Sequence, residues 1–356
     1  MDSPVGGDSP TEYGISPEGF VTGGLNHLRA ILPRLRARGI VAFVDVHSLP
    51  CNSACVSDGL NCKAPLAFTP GAQVGDIATC AGGVYRTSRP RHKPSGDPIS
   101  WSEVGIDNTA KLAAWIAALP ADDRQTIAGL QLANEPALNS PGFNEAIQQY
   151  YAAAVPAARK HLPELPLILG FIYPNDWAIP AFLQRLERSG SGPLLLDWHW
   201  YLNWAAWDNH LMPWSEVHER ACTTARNDWE GKVPGVDVLL GEWSLAINHD
   251  APLDLDDEAT RRELAQLFNE QKRIYTTSPH VLGSFYWTLR MGSGWDPRPT
   301  SAFPRGRQIE GTSASRSLPS FPFRVWSLVE MAELGVASRL DVPAPAETCA
   351  DLPGKE

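Results

Sequence analysis

Long apolar runs and a surplus of basic residues are both missing from this 356-residue sequence. No stretch of roughly 18 or more apolar residues occurs, so no membrane span is predicted. The N-terminal segment has neither a basic start nor an apolar core, and it shows no secretion signal. With 40 acidic and 30 basic residues, the formal charge of −10 would repel a phosphate backbone. Nucleic acid is therefore not an expected partner.

Cysteine pairs separated by two residues are also absent. Four of the six cysteines crowd into one Gly- and Pro-rich stretch, and two stand apart. They are Cys51, Cys55, Cys62 and Cys80 in the stretch, then Cys222 and Cys349. Because zinc sites are built from tighter Cys and His spacings, disulfides in an oxidising compartment are the favoured interpretation, with their pairing left open. We expect no metal and no cofactor, and an extracellular, cell-wall or secretory-pathway location.

The composition is that of a folded globular protein. Apolar residues make up 43% of the chain and charged residues 20%, which leaves ample material for a buried core. A single α/β barrel commonly runs to about 250 residues or more. We therefore predict one domain over residues 1–356, and we expect a monomer.

Short aliphatic runs alternate with amphipathic stretches along the chain. The predicted strands are 40–48, 126–136, 166–171, 193–201, 236–245 and 281–289. The predicted helices are 22–39, 103–118, 142–161, 178–188, 215–230, 257–277 and 324–337. Nearly continuous apolar strands, each followed by a helix, indicate a parallel sheet covered on both faces. The predicted fold class is α/β, a (β/α)8 TIM-type barrel.

Two features depart from a regular barrel. Residues 50–102 hold four cysteines and little periodicity, and we interpret them as a long Cys-rich insertion. The strand count gives six where a full barrel has eight, and only about 20 residues precede the first helix, too few for two βα units of ~30 residues. We therefore expect the barrel to lack its first two strands at the N-terminus.

Polar residues stand at the predicted strand ends, where the active site of a barrel lies. Glu135 and Glu242 end two different strands and are flanked by Asn, Trp, His and Tyr. A buried glutamate is costly unless it has polar partners. Cleavage of a glycosidic bond needs two carboxyl groups, one to protonate the leaving oxygen and one to attack or stabilise the sugar. The pair therefore predicts a glycosidase.

Several motifs together resemble glycoside hydrolase family 5, of clan A, and within it the fungal-type exo-β-1,3-glucanases. ANEP at 133–136 is similar to the family's Asn-Glu-Pro on the fourth strand, and GEWSLA at 241–246 to its Gly-Glu-Trp-Ser on the seventh. DVHSLP at 45–50, DWHWY at 197–201 and FYWTLR at 285–290 resemble further strand-end segments. The resemblance covers roughly residues 12–340.

This resemblance implies a role for each matching residue. Glu135 would be the general acid/base and Glu242 the nucleophile of a retaining enzyme. His47, Asn134, His199, Tyr201 and Trp287 would bind substrate, with Trp287 as the platform under a sugar ring. The implied substrate is a β-1,3-glucan or related β-glucan. The family's first two strands and an arginine on the second have no counterpart, and Ser-Leu-Pro follows His47 in place of Gly-Ala-Pro.

Two alternatives remain open at this point. The unusual insertion and the 13 tryptophans favour a family member that acts on a glycolipid or steryl β-glucoside. The missing strands favour a non-catalytic carbohydrate-binding barrel, which would bind sugar without turnover.

Overall fold

The structure is a computed structural model of the chain, and it describes part of the sequence. The described residues are 24–47, 49, 77–80, 83–86, 95–136, 143–171, 178–190, 192–202, 211–225, 236–251, 253–289, 325, 327–338 and 349. Cys51, Cys55 and Cys62 of the predicted insertion lie outside them. The chain divides into two compact units, Met1–Asp197 and Trp198–Glu356. The prediction of a single domain stays a prediction.

The first unit alternates strands and helices. Along the chain its elements are α1 (Gly24–Arg36), β1 (Ala42–Asp45), β2 (Ile77–Cys80), β3 (Gly83–Arg86), α2 (Trp101–Ala117), α3 (Ala121–Gln125), β4 (Ile127–Gln131), α4 (Phe143–Arg159), β5 (Leu167–Gly170), α5 (Ala178–Arg188) and β6 (Leu194–Trp200), the last of which continues into the second unit. The pairs β1–β4, β4–β5 and β5–β6 are all parallel. The strands β2 and β3 form a separate antiparallel hairpin.

Apolar side chains on both faces explain why these strands form. Leu130 of β4 and the segment Leu167–Leu169 of β5 are fully buried. The helix α2 begins at a capping box, in which Ser100 Oγ accepts from the Glu103 N–H and the Glu103 carboxylate accepts from the Ser100 N–H. Glycine at position 129 lets β4 lie against β1, because an added Cβ would be 2.7 Å from the Phe43 ring.

The second unit begins within β6. Its further elements are α6 (Trp214–Ala225), β7 (Val238–Trp243), α7 (Glu258–Thr277), β8 (Val281–Tyr286) and α8 (Leu328–Glu333). The strand order is β6-β7-β8, and β7 pairs with β8 in parallel. Trp243 is fully buried and packs against the rings of Phe268, Tyr275 and Tyr286. This aromatic cluster fixes α7 and β8 against β7.

The alternation of parallel strands and helices is confirmed. Each of the six predicted strands is present, and each of the seven predicted helices overlaps an observed helix. The hairpin β2–β3 and the short helix α3 were not predicted. Within the described six-stranded sheet, β1 and β8 each have a single neighbour, so the TIM-type barrel that lacks its first two strands remains a prediction.

A disulfide joins Cys222 of α6 to Cys349, with the two Cα atoms 5.7 Å apart. This bond confirms the interpretation of these two cysteines as disulfide-bonded, and it gives a pairing that the sequence left open. It closes a segment of 127 residues, a length at which a crosslink strongly restricts the unfolded chain. Among the helices that the structure describes, none is both long enough and apolar enough to cross a bilayer.

A histidine between two glutamates joins α6 to α7. His218 Nδ1 lies 2.7 Å from a carboxylate oxygen of Glu270, and its Nε2 lies 2.8 Å from one of Glu263. The ring of Trp214 stacks on the imidazole, with 5.6 Å between centroids. Burial lowers the pKa of His218, but the hydrogen bonds and charges of Glu270 and Glu263 outweigh burial, and the net pKa is raised. The geometry therefore favours the doubly protonated imidazolium.

We expect His218→Gln to lower stability in acid more than in base. Because the pKa of His218 is raised in the folded state, its stabilisation is complete below the unfolded pKa of about 6.5. That stabilisation is lost as the pH rises through the folded pKa. Near pH 6 the variant should lose about 1.5–3 kcal/mol of unfolding free energy, the range for a hydrogen bond to a charged group, and near pH 9 much less.

Urea unfolding of both proteins at the two pH values measures this difference. His280→Gln serves as the matched control, because the His280 side chain is 41% exposed and lies 4.0 Å from Asp237. Its effect should be small at both pH values. An equal loss at pH 6 and pH 9 in the His218 variant would contradict the ion-paired assignment.

Candidate active site

The predicted site residues all lie at or just beyond the carboxyl ends of parallel strands. His47 follows β1, Asn134 and Glu135 follow β4, His199 is on β6, Tyr201 follows β6, Glu242 is on β7, and Trp287 follows β8. The first unit holds His47, Asn134 and Glu135, and the second unit holds the other four.

In the first unit, a short polar chain connects β1 to β4. The Nδ1 atom of His47 is 2.7 Å from a carboxylate oxygen of Asp45, and Asn134 Nδ2 is 3.5 Å from His47 Nε2. Asp45 therefore orients the imidazole with Nδ1–H toward the carboxylate and Nε2 as the acceptor from Asn134. Asn134 is 2% exposed, and its backbone N–H donates to the Val46 carbonyl at 3.1 Å. These contacts fix the orientation of the Asn134 amide.

Glu135 has an unusual backbone for a residue with a side chain. Its φ is +37°, in the left-handed region, where contact of Cβ with the backbone costs about 1–2 kcal/mol for residues other than glycine. The side chain is half-buried. Such a conformation persists only where the surrounding contacts hold it, and it is found preferentially at functional sites. The turn after β4 is therefore a constrained segment that carries a carboxyl group.

In the second unit, two side chains from the end of β6 contact the carboxylate of Glu242. The Tyr201 hydroxyl donates to Glu242 Oε2 at 2.6 Å, and His199 Nδ1 lies 3.4 Å from the same oxygen. Glu242 is 8% exposed. A hydrogen bond from a phenol to a carboxylate is among the stronger kinds in proteins. Tyr201 and His199 together hold the Glu242 carboxylate in one orientation.

The backbone around Glu242 is fixed from the opposite face of β7. Side chains alternate along a strand, so the buried indole of Trp243 faces α7 while Glu242 faces the other way. Gln271 of α7 donates to the Ser244 carbonyl at 3.2 Å and accepts from the Tyr275 hydroxyl at 2.9 Å. The strand end that carries Glu242 is therefore anchored by packing and by hydrogen bonds.

Trp287 follows β8 directly and combines an anchored backbone with an accessible ring. Its backbone N–H donates to the Trp243 carbonyl at 2.8 Å, and the residue is 39% exposed. The peptide bond between Trp287 and Thr288 is cis. An exposed indole on an anchored backbone presents a flat apolar face of the kind on which sugar rings stack.

Three polar residues in this region were missed at the sequence level. Asp45 lies two residues before His47, and this strand spacing, which places both side chains on one face, could have revealed it. Gln131 and Asp197 are polar residues inside otherwise apolar strands, and both are buried. A polar residue in a buried strand needs a partner, and that requirement was the available signal.

A scan against models of protein families finds no match, and a search of curated proteins finds no relative. Solved structures do show similarity. AoRut has a TM-score of 0.47 at 16% identity, over 76% of this chain and 64% of that chain. The endoglucanase Cel5A of Pseudomonas stutzeri has a TM-score of 0.39 at 17% identity, over 71% and 64%. Endo-glycoceramidase II from Rhodococcus sp. has a TM-score of 0.39 at 14% identity, over 73% and 60%.

This chain covers less than two thirds of each of those three chains. The names endoglucanase and endo-glycoceramidase belong to those proteins.

Proposed function

We propose that this chain is a retaining β-glycosidase that hydrolyses β-glucosidic bonds of a β-1,3-glucan or related β-glucan. Glu242 is the nucleophile and Glu135 the general acid/base. The observation that carries the proposal is the buried Glu242 carboxylate with its Tyr201 and His199 contacts at a strand end. A nucleophilic carboxylate needs this kind of fixed orientation. A retaining reaction further requires the two carboxyl groups to be ~5–5.5 Å apart.

In the first step, a Glu242 oxygen attacks the anomeric carbon while the bond to the leaving oxygen breaks. Glu135 donates its proton to that oxygen, so the aglycone departs as an alcohol. The product is a glycosyl ester on Glu242. The Tyr201 hydroxyl, which holds Glu242 Oε2, keeps the carboxylate aligned during this displacement.

In the second step, water hydrolyses the glycosyl ester. Glu135, now ionised, takes a proton from the water as the water oxygen attacks the anomeric carbon, and Glu242 leaves as a carboxylate. Two inversions give net retention. Both steps need only the two carboxyl groups, so the proposal invokes no metal or cofactor.

The remaining residues are proposed to bind the sugar. His47 and Asn134, linked by a contact of 3.5 Å, offer polar groups suited to sugar hydroxyls. Trp287 offers its exposed ring face for stacking. The Cys222–Cys349 disulfide supports an oxidising, extracellular or secretory setting.

The stereochemistry of the first product tests the proposal. Proton NMR during hydrolysis of laminarin-type β-1,3-glucan or an aryl β-glucoside should show the β-anomer first, before mutarotation. Appearance of the α-anomer first, or no release of sugar from these substrates by the intact chain, would refute it. Assays with glucosylceramide and a steryl β-glucoside in parallel distinguish the glucan from a glycolipid substrate.

We expect Tyr201→Phe to lower kcat by about 10- to 100-fold, the effect of losing one hydrogen bond to a charged group. The KM should change by less than about threefold, because Tyr201 contacts the nucleophile. Tyr150→Phe is the matched control, since it removes a buried hydroxyl 3.5 Å from Thr109 on the helical side of the first unit. Steady-state kinetics on one aryl β-glucoside measures both. A Tyr201 variant that loses no more activity than the Tyr150 variant contradicts the role.

A further inference from the structure

A buried side-chain hydrogen bond connects two strands of the first unit beside Glu135. The Gln131 amide nitrogen, at the end of β4, donates to Asp197 Oδ2 on β6 at 2.6 Å. The same nitrogen lies 3.4 Å from the Ala133 carbonyl oxygen. Gln131 is 7% exposed and Asp197 is 2% exposed. A primary amide has two N–H groups, so one reaches each acceptor.

This bond passes over β5, which pairs with both β4 and β6. Gly170 is the β5 residue in register with Asp197. A Cβ atom added at Gly170 would lie 2.6 Å from the Ala133 carbonyl oxygen and 3.4 Å from the Gln131 amide nitrogen. The Gly170 carbonyl accepts a hydrogen bond from Tyr151 at 2.7 Å, which holds β5 in place. The absence of a side chain at Gly170 thus makes room for the link, meaning the hydrogen bonds from the Gln131 amide to Asp197 and to the Ala133 carbonyl.

The link ends where the strained segment begins. Ala133 is followed by Asn134, whose N–H donates to the Val46 carbonyl. Glu135, whose φ is +37°, comes next. An unfavourable φ is retained only if neighbouring contacts determine the backbone. The Gln131 amide contacts the carbonyl two residues before Glu135 and ties it to a buried carboxylate. It is therefore placed to hold the turn that carries Glu135.

We propose that Gln131 and Asp197 are positioning residues that hold Glu135 in the geometry needed for proton transfer. This inference rests on the proposed function of Glu135 as acid/base. A general acid must be within hydrogen-bond distance of the leaving oxygen, and a shift of about 1 Å costs on the order of 100-fold in rate. The link acts through the backbone of the turn, and neither residue is required to contact substrate.

The substitution Gln131→Glu tests the inference with almost no change in shape. It replaces the two N–H donors by an oxygen that carries at most one proton, so residue 131 can no longer donate to both Asp197 and the Ala133 carbonyl. For glucosides with poor leaving groups, which need protonation, kcat should fall about 10- to 100-fold while KM changes less than about threefold. Aryl glucosides whose leaving groups depart without a proton should lose much less in the first step. A merely structural defect would lower both classes equally.

Two further variants complete the experiment. Gln131→Glu combined with Asp197→Asn restores a hydrogen bond between β4 and β6 with donor and acceptor exchanged, and it should recover most of the lost rate. Gln266→Glu makes the same chemical change next to Glu270 on α7 and should stay within about twofold of the parent chain. A folded Gln131→Glu protein within twofold of the parent on poor leaving groups overturns the inference.

Hydrogen exchange gives a readout that does not depend on turnover. In Gln131→Glu, the Asn134 amide, which donates to Val46, should exchange at least about 10-fold faster, while amides of β7 and β8 keep their rates. An unchanged exchange rate of the Asn134 amide refutes the positioning role, whether or not the parent chain cleaves a glucoside. Absence of turnover in the parent, with faster exchange in the variant, refutes the proposed function and leaves the link supported.

Discussion

Replacing Glu242 by Gln is expected to lower kcat/KM on β-glucosides by at least about 10⁴-fold. The amide cannot form the glycosyl ester, so both displacements are lost. The change is nearly isosteric, and the Tyr201 hydroxyl can still donate to the amide oxygen. Sugar binding should therefore survive the loss of turnover. Steady-state kinetics and calorimetric titration with a β-glucan oligosaccharide measure the two properties separately.

The matched control for this variant is Glu258→Gln. Glu258 opens α7, is exposed, and pairs with Arg262 at 2.7 Å across one helical turn. Loss of an exposed pair of this kind changes stability by less than about 1 kcal/mol and should leave kcat/KM intact. Equal kinetic losses in the two variants would show that the assay reports folding.

A covalent trap tests the same residue in the unaltered chain. In an aryl 2-deoxy-2-fluoro-β-glucoside, the fluorine slows both steps by destabilising positive charge at the anomeric carbon, and an acidic dinitrophenol leaving group keeps the first step fast enough to occur. The glycosyl ester should accumulate on the peptide that contains Glu242, where mass spectrometry locates it. Labelling of any other carboxylate refutes Glu242 as nucleophile.

The strands of this protein were predictable because burial on both faces leaves a simple pattern. Leu167, Ile168 and Leu169 are consecutive and fully buried, and no alternation of polar residues competes with that reading. The placement of Glu135 and Glu242 at strand ends follows from the same pattern. Each of the two glutamates comes where an apolar run stops, which is the carboxyl end of its own strand.

Contacts between residues far apart in the sequence were harder to predict. The bond between Gln131 and Asp197 joins positions 66 apart, and it depends on the register of β5 and on the missing side chain of Gly170. The left-handed φ of Glu135 is likewise imposed by its surroundings, since nothing in glutamate itself favours it. The hairpin β2–β3 was missed because two four-residue strands in a Gly-rich segment give too short a pattern.

Replacing Glu135 by Ala should produce the second large effect, and its size should depend on the leaving group. For alkyl glucosides and glucan, which need a proton on the leaving oxygen, kcat/KM should fall by about 10²- to 10⁴-fold. For aryl glucosides with acidic phenols, the first step needs little assistance and kcat/KM should fall much less. Their turnover then stalls at the glycosyl ester, because no base activates water. A rapid burst of phenol followed by a slow phase is the expected trace.

Sodium azide should relieve this stall. Azide is already an anion, so it attacks the anomeric carbon without a base, and Glu242 departs as a carboxylate. The product should be the β-glucosyl azide, formed with retention. Azide should accelerate the Glu135→Ala variant on aryl glucosides and have no such effect on Glu242→Gln. Lack of acceleration in the Glu135 variant contradicts the acid/base role.

The backbone at position 135 supplies the control for folding. A left-handed φ of +37° is unfavourable for alanine and acceptable for glycine, so Glu135→Gly should be more stable than Glu135→Ala by about 1 kcal/mol. Both variants lack the carboxyl group. If the loss of activity comes from the missing carboxyl group, the two variants should show the same burst, the same dependence on leaving group and the same response to azide. Their different stabilities should not change these results. If the more stable Gly variant were instead clearly more active than the Ala variant, the loss of activity would be due to distortion of the turn after β4. Glu135 would then not be the acid/base residue.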